Sequence, residues 1–323
     1  MTAQRAIRRA IQSSDICVIA NPKSGRNSRD AQAIERAMAV LGAEAQLRRW
    51  TDDSGLQDEV RRAIADGYRI IVAAGGDGTV TGVAQALLGD DLRQDGDEAG
   101  VSMGVLPLGT FNYFARGLGL PQDPEEAARA ILNGKRHNIS VGSVNGQVFL
   151  NNASIGLYPA VLRAREDIYR RWGRSRLMAN WSLLRTLIRF QRPYKLTMQA
   201  DDGQIRHVRT PLIFVARSAY QLAYFGLEGA DAIHDDQFAV YVARGGTRTH
   251  LVNLALRLAT GTMRAGRDID LIAAREMRID TAHRRPHVAY DGEKRRMSAP
   301  LSFKIHEQSL SIIVPDDADQ VAA

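Results

Sequence analysis

Gly75-Gly76-Asp77-Gly78-Thr79 puts three glycines and one carboxylate into five positions. Glycine accepts φ > 0 and lets the main chain approach a ligand closely. An apolar run, Arg69 to Ala74, precedes the turn. Val80, Val83, Ala84 and Leu87 follow it at helical spacing. The unit therefore reads strand, glycine turn, helix. The free N–H groups of such a helix start suit an anion such as phosphate. Asp77 would repel phosphates unless it held a metal or hydrogen-bonded a hydroxyl.

Two further loops have matching chemistry. Asn21-Pro22-Lys23-Ser24-Gly25-Arg26 follows the apolar run Ile16 to Ala20 and carries two cations. Leu106 to Ala115 follows the run Val101 to Val105 and contains Gly109, Thr110 and Asn112. Far downstream, Asp291-Gly292-Glu293 sits among Arg284, Arg285, Lys294, Arg295 and Arg296. By itself that triplet is a hairpin turn with surface acids. Its cationic flanks favour an ionised carboxylate.

The glycine turn is not a Walker A loop, because no Lys-Ser/Thr pair follows its second glycine. It misses the dinucleotide GxGxxG pattern by one residue: Thr81 stands where the third glycine belongs, and Gly82 comes one position late.

The elements that position these loops alternate. Strands are expected at Ile16–Ala20, 43–50, 69–74 and 101–105, and helices at 30–42, 52–66, 79–88 and 123–132. That order predicts a parallel sheet with helices on its faces. In such sheets ligands collect at the carboxyl ends of strands, where loops 21–26 and 75–79 fall. From residue 138 the period changes to two, with short strands at 139–150, 194–200, 205–216, 237–243, 276–280, 286–290, 300–305 and 310–314. This predicts an antiparallel β-sandwich.

The 323 residues are 45% hydrophobic and 24% charged, enough for about two ordinary domains. A net charge of +7 favours an anionic partner. Aromatics at 6% argue against a stacking-based nucleic-acid role. The single cysteine, Cys17, excludes a disulfide framework or cysteine zinc site within one chain. The basic N-terminus precedes an apolar run too short for a signal peptide, and no stretch is long enough to span a bilayer. Residues 163–192 hold nine arginines against two acids, interleaved with Trp172, Trp181, Leu187 and Phe190. That pattern suits an anionic membrane surface, or equally a helix packed on its own domain.

Taken together, these motifs resemble the diacylglycerol kinase catalytic-domain family, which includes bacterial lipid kinases and is related to sphingosine kinases and NAD kinases. The resemblance rests on Asn21-Pro22-x-Ser24-Gly25, Gly75 to Thr79, Pro107-x-Gly109-Thr110-x-Asn112, Asn151 to Gly156 and Asp291-Gly292-Glu293, in that order along nearly the whole chain. It implies a nucleotide-binding α/β domain over 1–137, to which the chain end at 306–323 returns. It implies a β-sandwich lipid-substrate domain over 138–305, with 163–192 as a basic helical insert.

The implied activity is ATP- and magnesium-dependent phosphorylation of a hydroxyl on diacylglycerol or a similar lipid. The implied location is the cytoplasm, peripheral to the inner membrane face; a homodimer is left open, and nucleic acid is not an expected partner. Gly75, Gly76, Gly78 and Thr79 would cradle ATP. Asn21, Ser24 and Gly25 would make a second contact, with Arg26 or Lys23 supplying charge. Gly109, Thr110 and Asn112 would close a third side, and Asp77 would organise magnesium. By the same resemblance Asp291 is the general base and Glu293 supports it.

The sequence departs from the family pattern in three places. Thr81 and Gly82 stand where an Asn-Glu pair is usual, and Tyr113 where Asp is common. At Asp231-Ala232-Ile233-His234-Asp235-Asp236, where relatives hold a structural magnesium, Asp236 replaces the turn glycine. Asp235 is the metal candidate there. Two other readings stand beside the lipid kinase: an NAD-kinase-like enzyme with a soluble acceptor, and a module that binds nucleotide or lipid without chemistry.

Overall fold

The computed structural model describes residues 11–21, 28–51, 54–89, 100–156, 193–245, 247–260 and 262–316. The basic stretch 163–192 and residues 22–27 lie outside these. The chain divides into two units, Met1–Ile139 with Gln308–Val321 and Ser140–Glu307.

The first unit begins β1 (Ile16–Ala20), α1 (Ser28–Leu41), β2 (Gln46–Arg49), α2 (Gly55–Ala65), β3 (Ile70–Gly75), α3 (Asp77–Leu88), β4 (Ser102–Pro107), α4 (Tyr113–Gly117) and α5 (Pro124–Asn133). Its strands run parallel in the order β2-β1-β3-β4. Every residue of β1, β3 and β4 is buried, which explains their unbroken apolar runs. Ile34, Ala37 and Leu41 of α1 and Ala127, Ala128 and Ile131 of α5 share one core with Ile16, Val18, Ile70 and Val72. α5 starts cleanly: Asp123 accepts from Glu125 N–H at 2.9 Å and Glu126 N–H at 3.1 Å, with Pro124 in the first turn.

The second unit is built from β5 (Lys135–Val144), β6 (Gln147–Phe149), β7 (Asn152–Gly156), β8 (Tyr194–Ala200), β9 (Ile205–Thr210), β10 (Leu212–Ala216), α6 (Ala219–Phe225), α7 (Ala230–His234), β11 (Phe238–Ala243), α8 (Arg248–Thr260), β12 (Ile269–Ala274), β13 (Glu276–Thr281), β14 (His287–Tyr290), β15 (Glu293–Arg296) and β16 (Leu301–Val314). One antiparallel sheet runs β12-β11-β10-β7-β14-β15. A second antiparallel set runs β16-β13-β8-β9. Phe149, Ile155, Met198, Val215, Phe238, Val240, Ile279, Val288 and Phe303 fill the core between them. The observed classes, a parallel α/β unit and an antiparallel sandwich, are those expected.

Three details differ from the sequence reading. The run 205–216 is two strands in two different sheets. Pro211 separates them, and Thr210 Oγ1 turns the corner by donating to the carbonyls of Leu212 and Ala243, each at 2.8 Å. Residues 300–305 and 310–314 form one strand, β16, with Gln308 at φ 45° along it. β16 serves both units in turn. Leu301 to Lys304 pair antiparallel with β13, and Ile312 pairs parallel with Met103 of β4. The period-two reading also passed over the helices α6, α7 and α8. The first two are short: α6 runs from a Ser218 cap to left-handed Gly226, and α7 follows left-handed Gly229. No described helix is long and apolar enough to cross a membrane.

Candidate active site

In the first unit the glycine turn and the Leu106–Ala115 loop lock together. Leu108 N–H donates to Gly75 C=O at 3.0 Å. The turns then meet main chain to main chain. A Cβ on Gly109 would lie 2.6 Å from Gly76 Cα and from Asn112 Oδ1, and one on Gly75 would lie 2.4 Å from Thr79 Oγ1. Gly78 differs: it is exposed, and a Cβ there would meet nothing within 4 Å. Asp77 joins the loops by its side chain. Oδ2 accepts from Tyr113 N–H at 3.2 Å and Oδ1 from Phe114 N–H at 3.1 Å, so the carboxylate caps α4 from outside its own loop. Asn21 closes the third strand end. Its N–H donates to Ala74 C=O at 3.2 Å, and its Nδ2 lies 3.4 Å from Thr79 Oγ1.

Asn112 has left-handed φ 51° and is buried. Its amide folds back on its own turn: Gly109 N–H donates to Oδ1 at 3.0 Å, and Nδ2 donates to Gly109 C=O at 3.1 Å and Gln122 Oε1 at 3.2 Å. Thr110 is exposed at the loop tip. These residues shape a loop first, and any ligand contact comes from what the loop then presents.

In the second unit Asp291 occupies the β14–β15 turn at φ 41°, followed by Gly292 at φ 86°. Three consecutive main-chain N–H groups converge on its carboxylate. Leu150 N–H donates to Oδ2 at 2.6 Å, and Asn151 and Asn152 N–H donate to Oδ1 at 2.9 and 3.0 Å. Asp291 N–H returns a bond to Asn152 C=O at 3.0 Å. Such a cluster of donors matches an acceptor-only, ionised carboxylate. Glu293 is exposed, in register with Tyr290. Burial pushes the Tyr290 phenol up, against the nearby Arg295 charge. Lys294 and Arg295 are exposed beside this turn, and Arg284, Arg285 and Arg296 are exposed toward the other end of the hairpin, where Arg296 pairs with His287.

Comparison with known proteins bears on both units. The family model described as "Diacylglycerol kinase catalytic domain" matches residues 15–144.

Residues 15–144 resemble the diacylglycerol kinase catalytic domain family.

The "Probable lipid kinase YegS-like" of Pseudomonas aeruginosa is 40% identical over 127 residues, 39% of each chain. The "Diacylglycerol kinase" of Bacillus subtilis is 36% identical over 143 residues, 43% of this chain and 45% of the relative. The aligned stretch thus spans less than half of either relative. At the level of fold the likeness extends further. A crystal structure titled as a diacylglycerol kinase from Bacillus anthracis superposes with TM-score 0.65 over 94% of this chain and 97% of that one, at 18% identity. Yeast NADH kinase superposes with TM-score 0.50 at 10% identity.

Within the matched residues, Asn21, Gly75, Gly76, Asp77, Thr79, Gly109 and Asn112 come together around two loops and a strand end. Ser24, Gly25 and Arg26 lie outside the described residues. In the second unit, Asp291 and Glu293 share one hairpin.

The stretch around Asp235 is organised differently from a metal site. Asp236 takes the left-handed conformation a glycine would favour, φ 54°, and pairs with Arg217 Nη2 at 2.7 Å. Arg217 is 2% exposed, and its Nη1 also donates to Ile233 C=O at 3.3 Å. Burial lowers the Arg217 pKa, and the Asp236 charge opposes that shift. Arg275 donates to Asp235 C=O at 3.1 Å. Among the described residues no group of three or more His, Cys, Asp or Glu converges as a metal would need. A divalent cation does not fit a turn already served by two guanidinium groups.

Sequence reading missed Arg217, Gln122, Asn152 and Gln221 as site-shaping residues. One signal was available. Ser218 to Gln221 has capping-box spacing, directly after the apolar strand β10.

Proposed function

We propose that the protein is an ATP- and magnesium-dependent lipid kinase that phosphorylates a hydroxyl of diacylglycerol or a similar lipid. The observation that carries this reading is the Asp291 carboxylate, fixed by three N–H donors at an otherwise unremarkable hairpin. A general base needs an oriented, ionised carboxylate, and a surface turn needs neither. Asp291 would accept the proton of the lipid hydroxyl as that oxygen bonds the γ-phosphorus of ATP and the bond to the β–γ bridging oxygen breaks, releasing ADP, with Glu293 beside it on the same hairpin.

The donor half of the reaction falls to the first unit. The start of α3, opened by Gly76 and Gly78, would receive nucleotide phosphates on main-chain N–H groups, with Thr79 and Asn21 alongside. Gly109 and Asn112 would hold the opposing loop, with Thr110 at its tip. Ser24, Gly25 and Arg26 complete the nucleotide contacts in this reading. Magnesium, when bound, would neutralise charge on the phosphates; Asp77 is the carboxylate this reading assigns to hold it or its waters. The names of the relatives support a lipid acceptor. The exposed cations along the Asp291 hairpin, Lys294 and Arg295 nearest the turn, support work at an anionic membrane face, which would place the enzyme peripherally on the cytoplasmic side.

The test is transfer of labelled phosphate from ATP to a panel of lipids in anionic vesicles, with Asp291→Asn alongside. Transfer to a lipid by the wild type and its loss in the variant are expected. No transfer to any lipid, or undiminished transfer by Asp291→Asn, would overturn the reading. Preferential phosphorylation of NAD would favour the soluble-acceptor alternative.

A further inference from the structure

We propose that Gln221 is a positioning residue for Asp291, acting through Asn152. This rests on Asp291 being the general base.

All three N–H groups that hold the Asp291 carboxylate come from Leu150, Asn151 and Asn152. The placement of the base therefore depends on this tripeptide. It is anchored in three ways. Asp291 N–H donates to Asn152 C=O at 3.0 Å, and Arg217 N–H donates to Asn151 C=O at 2.8 Å. Both are main-chain bonds that no side-chain substitution deletes. The third anchor is a side-chain pair: Asn152 Nδ2 donates to Gln221 Oε1 at 2.8 Å.

The setting of this pair makes it consequential. Asn152 is 6% exposed and Gln221 3% exposed, so water replaces neither partner readily. Asn152 is also a branch point. Its N–H holds the carboxylate while its amide holds Gln221, so a shift on one side is felt on the other.

The local sequence points the same way. In a capping box the residue three after the N-cap Ser folds its side chain back to the N-cap N–H. Half of that motif is present, since Ser218 Oγ accepts from Gln221 N–H at 3.2 Å. The other half is diverted, because the Gln221 amide reaches across to β7. The start of α6 thereby becomes a buttress for the residues that hold Asp291.

The test compares steady-state kinetics of the full chain, with ATP and diacylglycerol in anionic vesicles, for wild type, Gln221→Met, Gln221→Glu and Asp291→Asn. Met fills similar volume without an acceptor, whereas Glu keeps one for Asn152 Nδ2. Gln221→Met should lower kcat about tenfold with the KM for ATP unchanged, and Gln221→Glu should recover most of it. If Gln221→Met is not obtained folded, Gln221→Ala provides the same comparison. Wild-type kcat in the non-acceptor variant, or equal loss in the Met and Glu variants, overturns the proposal while an inactive Asp291→Asn leaves the kinase reading standing. An active Asp291→Asn instead removes the premise.

Discussion

Asp77 Oδ1 lies 3.1 Å from the main-chain nitrogen of Phe114, so the carboxylate of the glycine turn caps a helix that begins 36 residues later. A purely ligand-binding Asp77 could be replaced without cost to the fold. A capping Asp77 cannot. Losing a cap costs about 0.5–2 kcal/mol. Asp77→Ala is therefore expected to lower both turnover and the urea midpoint of unfolding. Asp77→Asn, with one acceptor oxygen left, should fall between. An unchanged midpoint in Asp77→Ala would show that the cap contributes nothing.

Gly109 faces Gly76 with no room for a side chain. A Cβ there would lie 2.6 Å from both Asn112 Oδ1 and Gly76 Cα, and the latter is main chain with no rotamer to change. Gly109→Ala should separate the two loops, raise the Kd for ATP at least tenfold and lower stability by about 1–3 kcal/mol. Gly78→Ala, with open space around its Cβ, serves as the contrast and should leave stability nearly unaltered. Urea unfolding distinguishes the two variants, and calorimetric titration with nucleotide reads the binding loss in Gly109→Ala.

Arg217 and Asp236 make a pair in which the cation is buried and the anion is 41% exposed. Removing the anion strands a desolvated guanidinium. Asp236→Ala should thus destabilise the protein by about 1–3 kcal/mol, with exposure of the carboxylate keeping the cost below that of a fully buried pair. The same geometry predicts an outcome for metal removal. In the proposed kinase a chelator should stop turnover by taking magnesium from ATP, yet leave the melting temperature of the nucleotide-free protein unchanged. A fall in melting temperature on chelation would reveal a structural cation.

His306 is buried against Ser143, with 2.9 Å between its Nε2 and the serine Oγ. Burial lowers its pKa, and the Lys304 charge adds to the effect. The unfolded chain therefore binds a proton near pH 6.5 that the folded protein refuses. This contribution to stability is whole above about pH 6.5 and declines as pH falls below it. Urea midpoints measured between pH 7.5 and 5 should drop for the wild type, and the slope should be smaller in His306→Gln. Identical slopes would exclude His306 as the cause.

Local chemistry made much of this molecule legible in its sequence. Unbroken apolar runs such as Ile70 to Ala74 announced strands buried on both faces. The 3.6-residue spacing of Ile34, Ala37 and Leu41 announced a helix with one buried face. Glycines at 75, 76 and 109 marked where main chain must come close to something. Pattern in sequence could not say what that something was. Gly76 and Gly109 turned out to need the space for each other, because both turns end neighbouring parallel strands, β3 and β4.

The second unit was less legible, since antiparallel strands hold one another through partners distant in sequence. Nothing near Asp291 announces that Leu150, Asn151 and Asn152 will aim three N–H groups at it. Nothing near Asp236 announces a buried Arg217. The residue types of the candidate site, and the family they resemble, follow from the sequence alone, because they depend on short motifs in a fixed order. Which of those side chains cap, clamp or stay exposed was decided by tertiary structure. A hydrogen bond's value depends on burial and on a partner's position, and both arise only when strands 140 residues apart, such as those holding Asn151 and Asp291, come into register.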